Sequence, residues 1–259
     1  MQESIDPGHN EKKLLGLTAD RSINRITFIK YEAFPGDFLI VTVPKLNKYE
    51  LMKSGSLMLR FDVDLSGGDP GNFLVDNISR ALVDNMKIKF GGQMVNEIEN
   101  YDVYKIYEDL YLPIVKRNNM LTDGIQTLEL NKIRCNSNDK PTSGVDKEKK
   151  LNEIYGSKYC IRLDHGLLEV NGAFYPHALR EELSFEIKLA AADKVVRGPD
   201  SKNLHYRLSN IQLQYEVIKS RDLAQIAEYY YENGKSFTFD HIHQERFSNF
   251  SLPNDGRST

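Results

Sequence analysis

The sequence predicts an all-β protein, an antiparallel eight-stranded jelly-roll sandwich with short helices in the connections. From Leu57 to Leu65, apolar and polar residues alternate, which gives a strand with one buried face and one wet face. The same alternation recurs from Leu183 to Leu189. Helical patterns occur only in some connections, so the chain does not alternate strand and helix as a parallel sheet would require. A β-barrel is the nearest alternative.

The first part of the chain predicts an arm followed by three strands. Residues 1–24 are mostly polar and are expected to form a flexible N-terminal arm. Residues 25–31, rich in Ile, Thr and Phe, form the first predicted strand. Residues 38–43 form the second, and residues 57–65 form the third.

A helix and a hairpin are predicted next. Apolar residues in 73–82 have the spacing of one helical face. Residues 85–90 and 93–98 alternate again on either side of Gly91-Gly92, which is a turn signal between paired strands.

A second helix is predicted from Tyr101 to Leu112. Its apolar positions are spaced as one face, and Pro113 ends it. Those positions are Val103, Ile106, Tyr107 and Leu110. Residues 136–150 are polar and are expected to form a long surface loop.

The remaining predicted strands are 159–165, 183–190 and 206–218. Ser220 is a good N-cap for a third helix, which is expected to end near Gly234. The sequence therefore divides into the arm, a jelly-roll domain at 25–219, and a segment at 220–259 that holds a linking helix, a short strand and a tail.

Composition limits the classes of function. The net charge is −3, and the balance of 34 basic and 37 acidic residues gives no strong signal for nucleic-acid binding. The longest apolar stretches are far below the roughly 20 residues that span a bilayer, so no membrane partner is expected. Two cysteines, Cys135 and Cys160, are too few for a disulfide framework.

Motifs for catalysis are lacking, so the chain is not expected to be an enzyme or to use a cofactor. The glycine-rich stretch before residue 73 lacks the lysine of a phosphate loop. His241 and His243 could share one face of a strand, but spacing alone is a weak signal, and exposed edge histidines are the preferred interpretation. Cys160 is interpreted as a buried, inert thiol. No catalytic, cofactor-binding or metal site is predicted.

Aromatic residues near the C-terminus are the candidate interface residues. Tyr229, Tyr230 and Tyr231 are consecutive, so on a helix they cover about 300° of its circumference and cannot all face one core. Either they form an interface, or the helix lies between two packed layers. Phe247 and Phe250 lie in a polar tail with no local apolar partner, and they complete the candidate set.

The order of elements resembles that of the double jelly-roll major capsid proteins of polinton (Maverick) transposons and related viruses. The resemblance begins with 69–78, which leads into the strand and Gly-Gly turn of 83–92 and then into the tyrosine-rich helix of 100–110. It continues in the strands 183–189 and 211–218 and in the helix after Ser220, and it covers roughly residues 57–242.

The resemblance implies a structural capsid protein that self-associates and performs no catalysis. It would be located in a virion or capsid that assembles in the cytoplasm or nucleus of a host cell. The resemblance implies a homotrimer only where a second jelly roll is present, and this chain would supply the first. A carbohydrate-binding β-sandwich that uses Tyr229 and Tyr231 is the alternative.

Overall fold

The computed structural model describes most of the chain between residues 20 and 233. The described ranges are 20–27, 32–65, 73–75, 78–115, 159–163, 165–169, 173–197 and 205–233. The predicted loop 136–150, most of the arm, and everything after residue 233 lie outside these ranges, so the predictions made there stay predictions.

The described residues form twelve strands. They are β1 (Asp20–Thr27), β2 (Phe38–Thr42), β3 (Glu50–Lys53), β4 (Met58–Leu65), β5 (Phe73–Leu74), β6 (Val83–Phe90), β7 (Gln93–Glu99), β8 (Tyr159–Arg162), β9 (Ala173–Phe174), β10 (Leu183–Leu189), β11 (Val196–Arg197) and β12 (Tyr206–Lys219).

Short helices occupy some of the connections between these strands. They are α1 (Ile78–Ala81), α2 (Tyr101–Leu110), α3 (Gly166–Glu169), α4 (Ala192–Val195) and α5 (Arg221–Glu232), with a 3-10 turn at Pro176–Ala178.

All strand pairs are antiparallel, and two main sheets face each other. One sheet has the order β2-β10-β6-β7. The other has the order β8-β4-β12-β3-β9, with β1 also paired to β12. The inward side chains of both sheets belong to one apolar cluster, in which Phe61, Phe185 and Ile187 have no exposed surface. The predicted antiparallel sandwich is confirmed.

The long strand β12 joins two shorter strands along one of its edges. Val217 pairs with Ser22 of β1 on one edge and with Met52 of β3 on the other. Gln214 likewise pairs with β1 and with Met58 of β4. Strands β3 and β4 therefore lie end to end on the edge of β12 opposite β1.

Each of the eight predicted strands corresponds to a strand of the structure, namely β1, β2, β4, β6, β7, β8, β10 and β12. The first one begins at Asp20, five residues earlier than predicted, because the backbone of 20–27 pairs with β12. The strands that prediction missed, β3, β5, β9 and β11, have two to four residues, which is too short for an alternation to show.

The helix predicted at 73–82 is mostly wrong. Phe73 and Leu74 pair with β11 as a two-residue strand, and the helix itself covers only Ile78–Ala81. Leu74, Ile78 and Leu82 are all buried, so the apolar spacing marked the core correctly but not the backbone conformation.

The predicted hairpin at Gly91-Gly92 is confirmed. Both glycines have positive φ, at 56° and 79°, which the tight turn between β6 and β7 requires. A side chain at residue 91 would also come within 3.1 Å of Glu181, so glycine serves both the turn and the packing there.

Candidate interaction surfaces

Helix α2 buries its charged face instead of its apolar one. Tyr101, Lys105 and Asp109 are the buried residues of this helix, and they recur every four positions, so they share one stripe. The left-handed backbone of Asn100, with φ of 48°, turns the chain from β7 directly into this helix.

An ion pair between two buried side chains holds that stripe against helix α1. The Arg80 Nε atom lies 3.4 Å from Asp109 Oδ2, and the two side chains are 6% and 4% exposed. Such a pair stabilises one arrangement of the two helices, because separating its partners would leave a charge without compensation in the interior.

Lys105 completes the charged stripe. Its ammonium lies 2.8 Å from Glu108 Oε2, and it sits 5.6 Å and 5.4 Å from the ring centroids of Tyr101 and Tyr104. Both distances suit a cation–π contact. The charges of the stripe are therefore neutralised within the subunit.

The opposite side of α2 presents apolar side chains to solvent. We call these side chains, together with the exposed apolar side chains of the residues directly after the helix, the α2 apolar face. Its members are Val103, Ile106, Tyr107, Leu110, Tyr111, Ile114 and Val115, and their exposed fractions run from 38% to 77%. A surface helix ordinarily packs such a stripe on the core.

Two tyrosines form the middle of the α2 apolar face. The rings of Tyr107 and Tyr111 meet edge to face at 5.2 Å, and the Tyr111 hydroxyl donates to the Tyr107 hydroxyl over 3.1 Å. That hydrogen bond raises the pKa of the Tyr111 phenol. The two side chains together present an aromatic surface.

Sequence reasoning identified the apolar positions of α2 but not the direction in which they face. One signal was available, because Tyr101, Lys105 and Asp109 form a second stripe on the other side of the same helix. What decides the orientation is Arg80, which is 29 residues from Asp109 along the chain.

Helix α5 lies on the outer surface of the β12-containing sheet and buries its small residues. Ser220 caps it as predicted, since its Oγ accepts a hydrogen bond from the Leu223 amide at 3.4 Å. Ala224 is buried in a small apolar cluster with Leu51 and Tyr175.

The three predicted interface tyrosines of α5 have different environments. Tyr231 packs on that small cluster, with its ring 6.3 Å from the ring of Tyr175, and burial raises the pKa of its phenol. Tyr229 is 60% exposed and meets Tyr230 edge to face at 6.1 Å. Tyr231 thus contributes to holding the helix on the sheet, and Tyr229 is the most accessible of the three.

Phe247 and Phe250, the other two predicted interface residues, lie outside the described residues, as do His241 and His243. The Cys160 thiol is buried in β8, as predicted. Within the described ranges, no group of three or more His, Cys, Asp or Glu side chains could hold a metal ion. No described helix is long and apolar enough to cross a membrane.

Strand β2 provides a second, smaller exposed surface. It is an edge strand, and Phe38 and Ile40 point outward from it. A groove beside it is flanked by charged residues, including Lys45, Arg180 and Glu182. The charged surroundings and the shortness of the strand restrict how far another chain could pair along this edge.

Comparison with solved structures finds viral capsid proteins. The chain is similar to VP54 of PBCV-1, in a crystal structure fitted into a reconstruction of the virophage Sputnik, with a TM-score of 0.49 and 13% identity over 81% of this chain. It is similar to a quasi-atomic model of the PBCV-1 virus capsid, with a TM-score of 0.47 and 12% identity over 81% of this chain. It is also similar to the mavirus major capsid protein, with a TM-score of 0.38 and 9% identity over 77% of this chain.

The chain spans 45% to 46% of the length of these structures. No protein-family model matches the sequence, and no curated protein matches it. The sandwich architecture described above rests on the strand pairing of the chain itself.

Proposed function

We propose that this chain is a structural capsid-type protein that self-assembles through its jelly-roll domain and performs no catalysis. The single observation that carries the proposal is the outward-facing apolar side of α2. A protein that works as an isolated subunit ordinarily covers such a surface, whereas a subunit of a larger assembly buries it against a partner.

The order of elements supports the capsid-type assignment. The resemblance of residues 57–242 to polinton-type capsid proteins includes the hairpin and the tyrosine-rich helix, which here are β6, β7 and α2. The proposed location is a virion or capsid, assembled in the cytoplasm or nucleus of a host cell. A homotrimer is the proposed unit where a second jelly roll accompanies this one.

The carbohydrate-binding alternative has less support. It requires an accessible platform that includes both Tyr229 and Tyr231, but Tyr231 packs against Tyr175. Tyr229 is largely exposed, but its ring meets Tyr230 at an interplanar angle of 71°, so these two rings do not form a flat platform.

The proposal is tested by sedimentation velocity of the full chain over a wide concentration range, together with negative-stain electron microscopy. The expected result is a concentration-dependent increase in mass and regular higher-order particles or sheets. A chain that remains monomeric at every concentration, or that stops at a dimer and forms no particles, would overturn the proposed function.

A further inference from the structure

We propose that the α2 apolar face is a two-fold contact surface that binds the same face of a second copy of this chain. The inference rests on the proposed function for its biological setting. It makes a separate claim, however, because a simple dimer through this face would satisfy it without any capsid.

The area of the face fits a specific interface. Its seven side chains expose on the order of 800 Å², about the share that one partner contributes to an interface of standard size. The largest apolar patch on a typical monomer is about 300–600 Å². Among the described residues, the α2 apolar face is therefore at the upper end of that range or above it.

The charges around the face make it self-complementary. In a two-fold contact, the groups close to the axis face their own copies, so an unpaired charge there would meet a like charge. The charges of α2 are instead paired within the subunit, Lys105 with Glu108 and Asp109 with Arg80. Asp102, at the start of the helix, interacts electrostatically with Lys194. The charged residues of α2 therefore do not oppose the approach of a second copy.

The anchoring of the helix makes the face rigid. The buried ion pair and the lysine packed against two tyrosine rings fix the helix from behind, so little backbone conformational entropy is lost when the front face is covered. If the two-fold axis runs across the helix at the middle of the face, the two helices are antiparallel, an arrangement in which their dipoles attract. Leu110 and Tyr107 would lie near that axis.

The test uses charge substitutions at Leu110, which is 63% exposed and can be replaced without disturbing the core. In sedimentation velocity, Leu110→Glu and Leu110→Lys should each weaken association by at least about tenfold, because each places like charges across the axis. The matched control is Ile226→Glu on α5, which is also an exposed apolar residue on a helix and should leave association unchanged. Circular dichroism and thermal melting establish that all three variants fold.

The decisive measurement mixes the two Leu110 variants in equal amounts. A two-fold contact predicts that Glu and Lys at this position attract across the axis, so the mixture should associate at least about tenfold more tightly than either variant alone. Recovery of association in the mixture would establish that the α2 apolar faces of two copies contact each other, even if no higher-order particles form.

Three results would overturn the inference. One is a wild-type chain that stays monomeric, in which case a segment of the same chain or another protein would cover the α2 apolar face. Another is association that persists unchanged in both Leu110 variants. The last is a loss of association that mixing does not restore, which means that α2 contacts a different surface. In the last two cases the proposed self-assembly would still stand.

Discussion

Helices α2 and α5 have similar lengths and similar amphipathic sequences, yet they face the sandwich in opposite ways. α5 buries small apolar residues such as Ala224 and keeps charged residues such as Asp222 in solvent. α2 buries Lys105 and Asp109 and exposes Val103 and Leu110. The difference shows that an apolar stripe does not by itself identify the inner face of a helix. A buried charge on a neighbouring element can reverse the orientation.

The largest effect on the orientation of α2 is expected from removing the charge of Asp109. Asp109→Asn removes the carboxylate that pairs with the buried Arg80, and we expect the free energy of unfolding to fall by about 3–5 kcal/mol. Urea denaturation monitored by circular dichroism measures this change in the free energy of unfolding.

The matched control for this variant is Glu228→Gln, in the partly exposed pair of Glu228 with Lys48, whose charged atoms lie 3.4 Å apart. It should change the free energy of unfolding by less than about 1 kcal/mol. The double variant Arg80→Met, Asp109→Leu should recover much of the loss, since it removes both charges together. If Asp109→Asn and Glu228→Gln lower the free energy of unfolding by the same small amount, the buried pair does not orient the helix.

On α5, the contrast lies between neighbouring tyrosines. Tyr231→Ala should lower the free energy of unfolding by about 1–2 kcal/mol, because it removes a partly buried ring that packs on Tyr175. Tyr229→Ala should change it by less than about 0.5 kcal/mol, because that ring is largely exposed. Chemical denaturation of both variants in parallel measures the two losses in free energy of unfolding. Similar losses would contradict the assignment of Tyr231 to the inner side of α5.

The start of α5 offers a smaller test. Ser220→Ala removes the side-chain oxygen that accepts a hydrogen bond from the Leu223 amide, and a loss of about 1 kcal/mol is expected. Ser220→Gly should cost only a few tenths of a kcal/mol relative to serine, because glycine is also a tolerated cap. Thermal unfolding of the pair measures the difference, and equal losses for both variants would argue against capping by this side chain.

The smallest effect concerns the pH dependence of α2. Burial favours the neutral acid, but hydrogen bonds from Lys105 and Tyr104, with the nearby charge of Arg80, outweigh it and lower the pKa of the Glu108 carboxyl. A folded-state pKa below the unfolded one stabilises the fold above the unfolded value, near 4.5, and this contribution disappears as the pH falls through the folded pKa.

Unfolding measured between neutral and acidic pH should therefore show a smaller acid-dependent loss in Glu108→Gln than in the wild type. The difference should stay below about 1 kcal/mol, because the carboxylate is partly exposed. Identical acid profiles for the two proteins would show that this pair contributes nothing to stability.

Sequence patterns predicted the strands well because burial in a sandwich imposes a period of two on each long strand. The alternation in β4, β10 and β12 is visible directly in the sequence, and in each of these strands the alternating apolar residues are buried. The two-residue strands β5, β9 and β11 carry no such period. Their existence depends on which backbone segments the rest of the fold brings alongside.

Only the local features of the candidate interaction surfaces could be predicted from the sequence. Spacing located Val103 and Leu110 on one side of α2, and it located the cap at Ser220. It could not pair Asp109 with Arg80 or Tyr231 with Tyr175, because those contacts join residues that are distant in sequence. The direction in which an amphipathic helix faces depends on such contacts.

The position of β12 has a consequence for how the protein folds during synthesis. The sheet formed by β2, β10, β6 and β7 can be completed once residue 189 has left the ribosome. The other sheet cannot, because β1 and the β3–β4 pair are joined only through β12, which is the last strand described. Until residue 219 emerges, β1, β3 and β4 cannot join into one sheet, so we expect the completed sheet to lack the partner on which its inner surface packs. Strand β12, the last one described, then closes the sandwich.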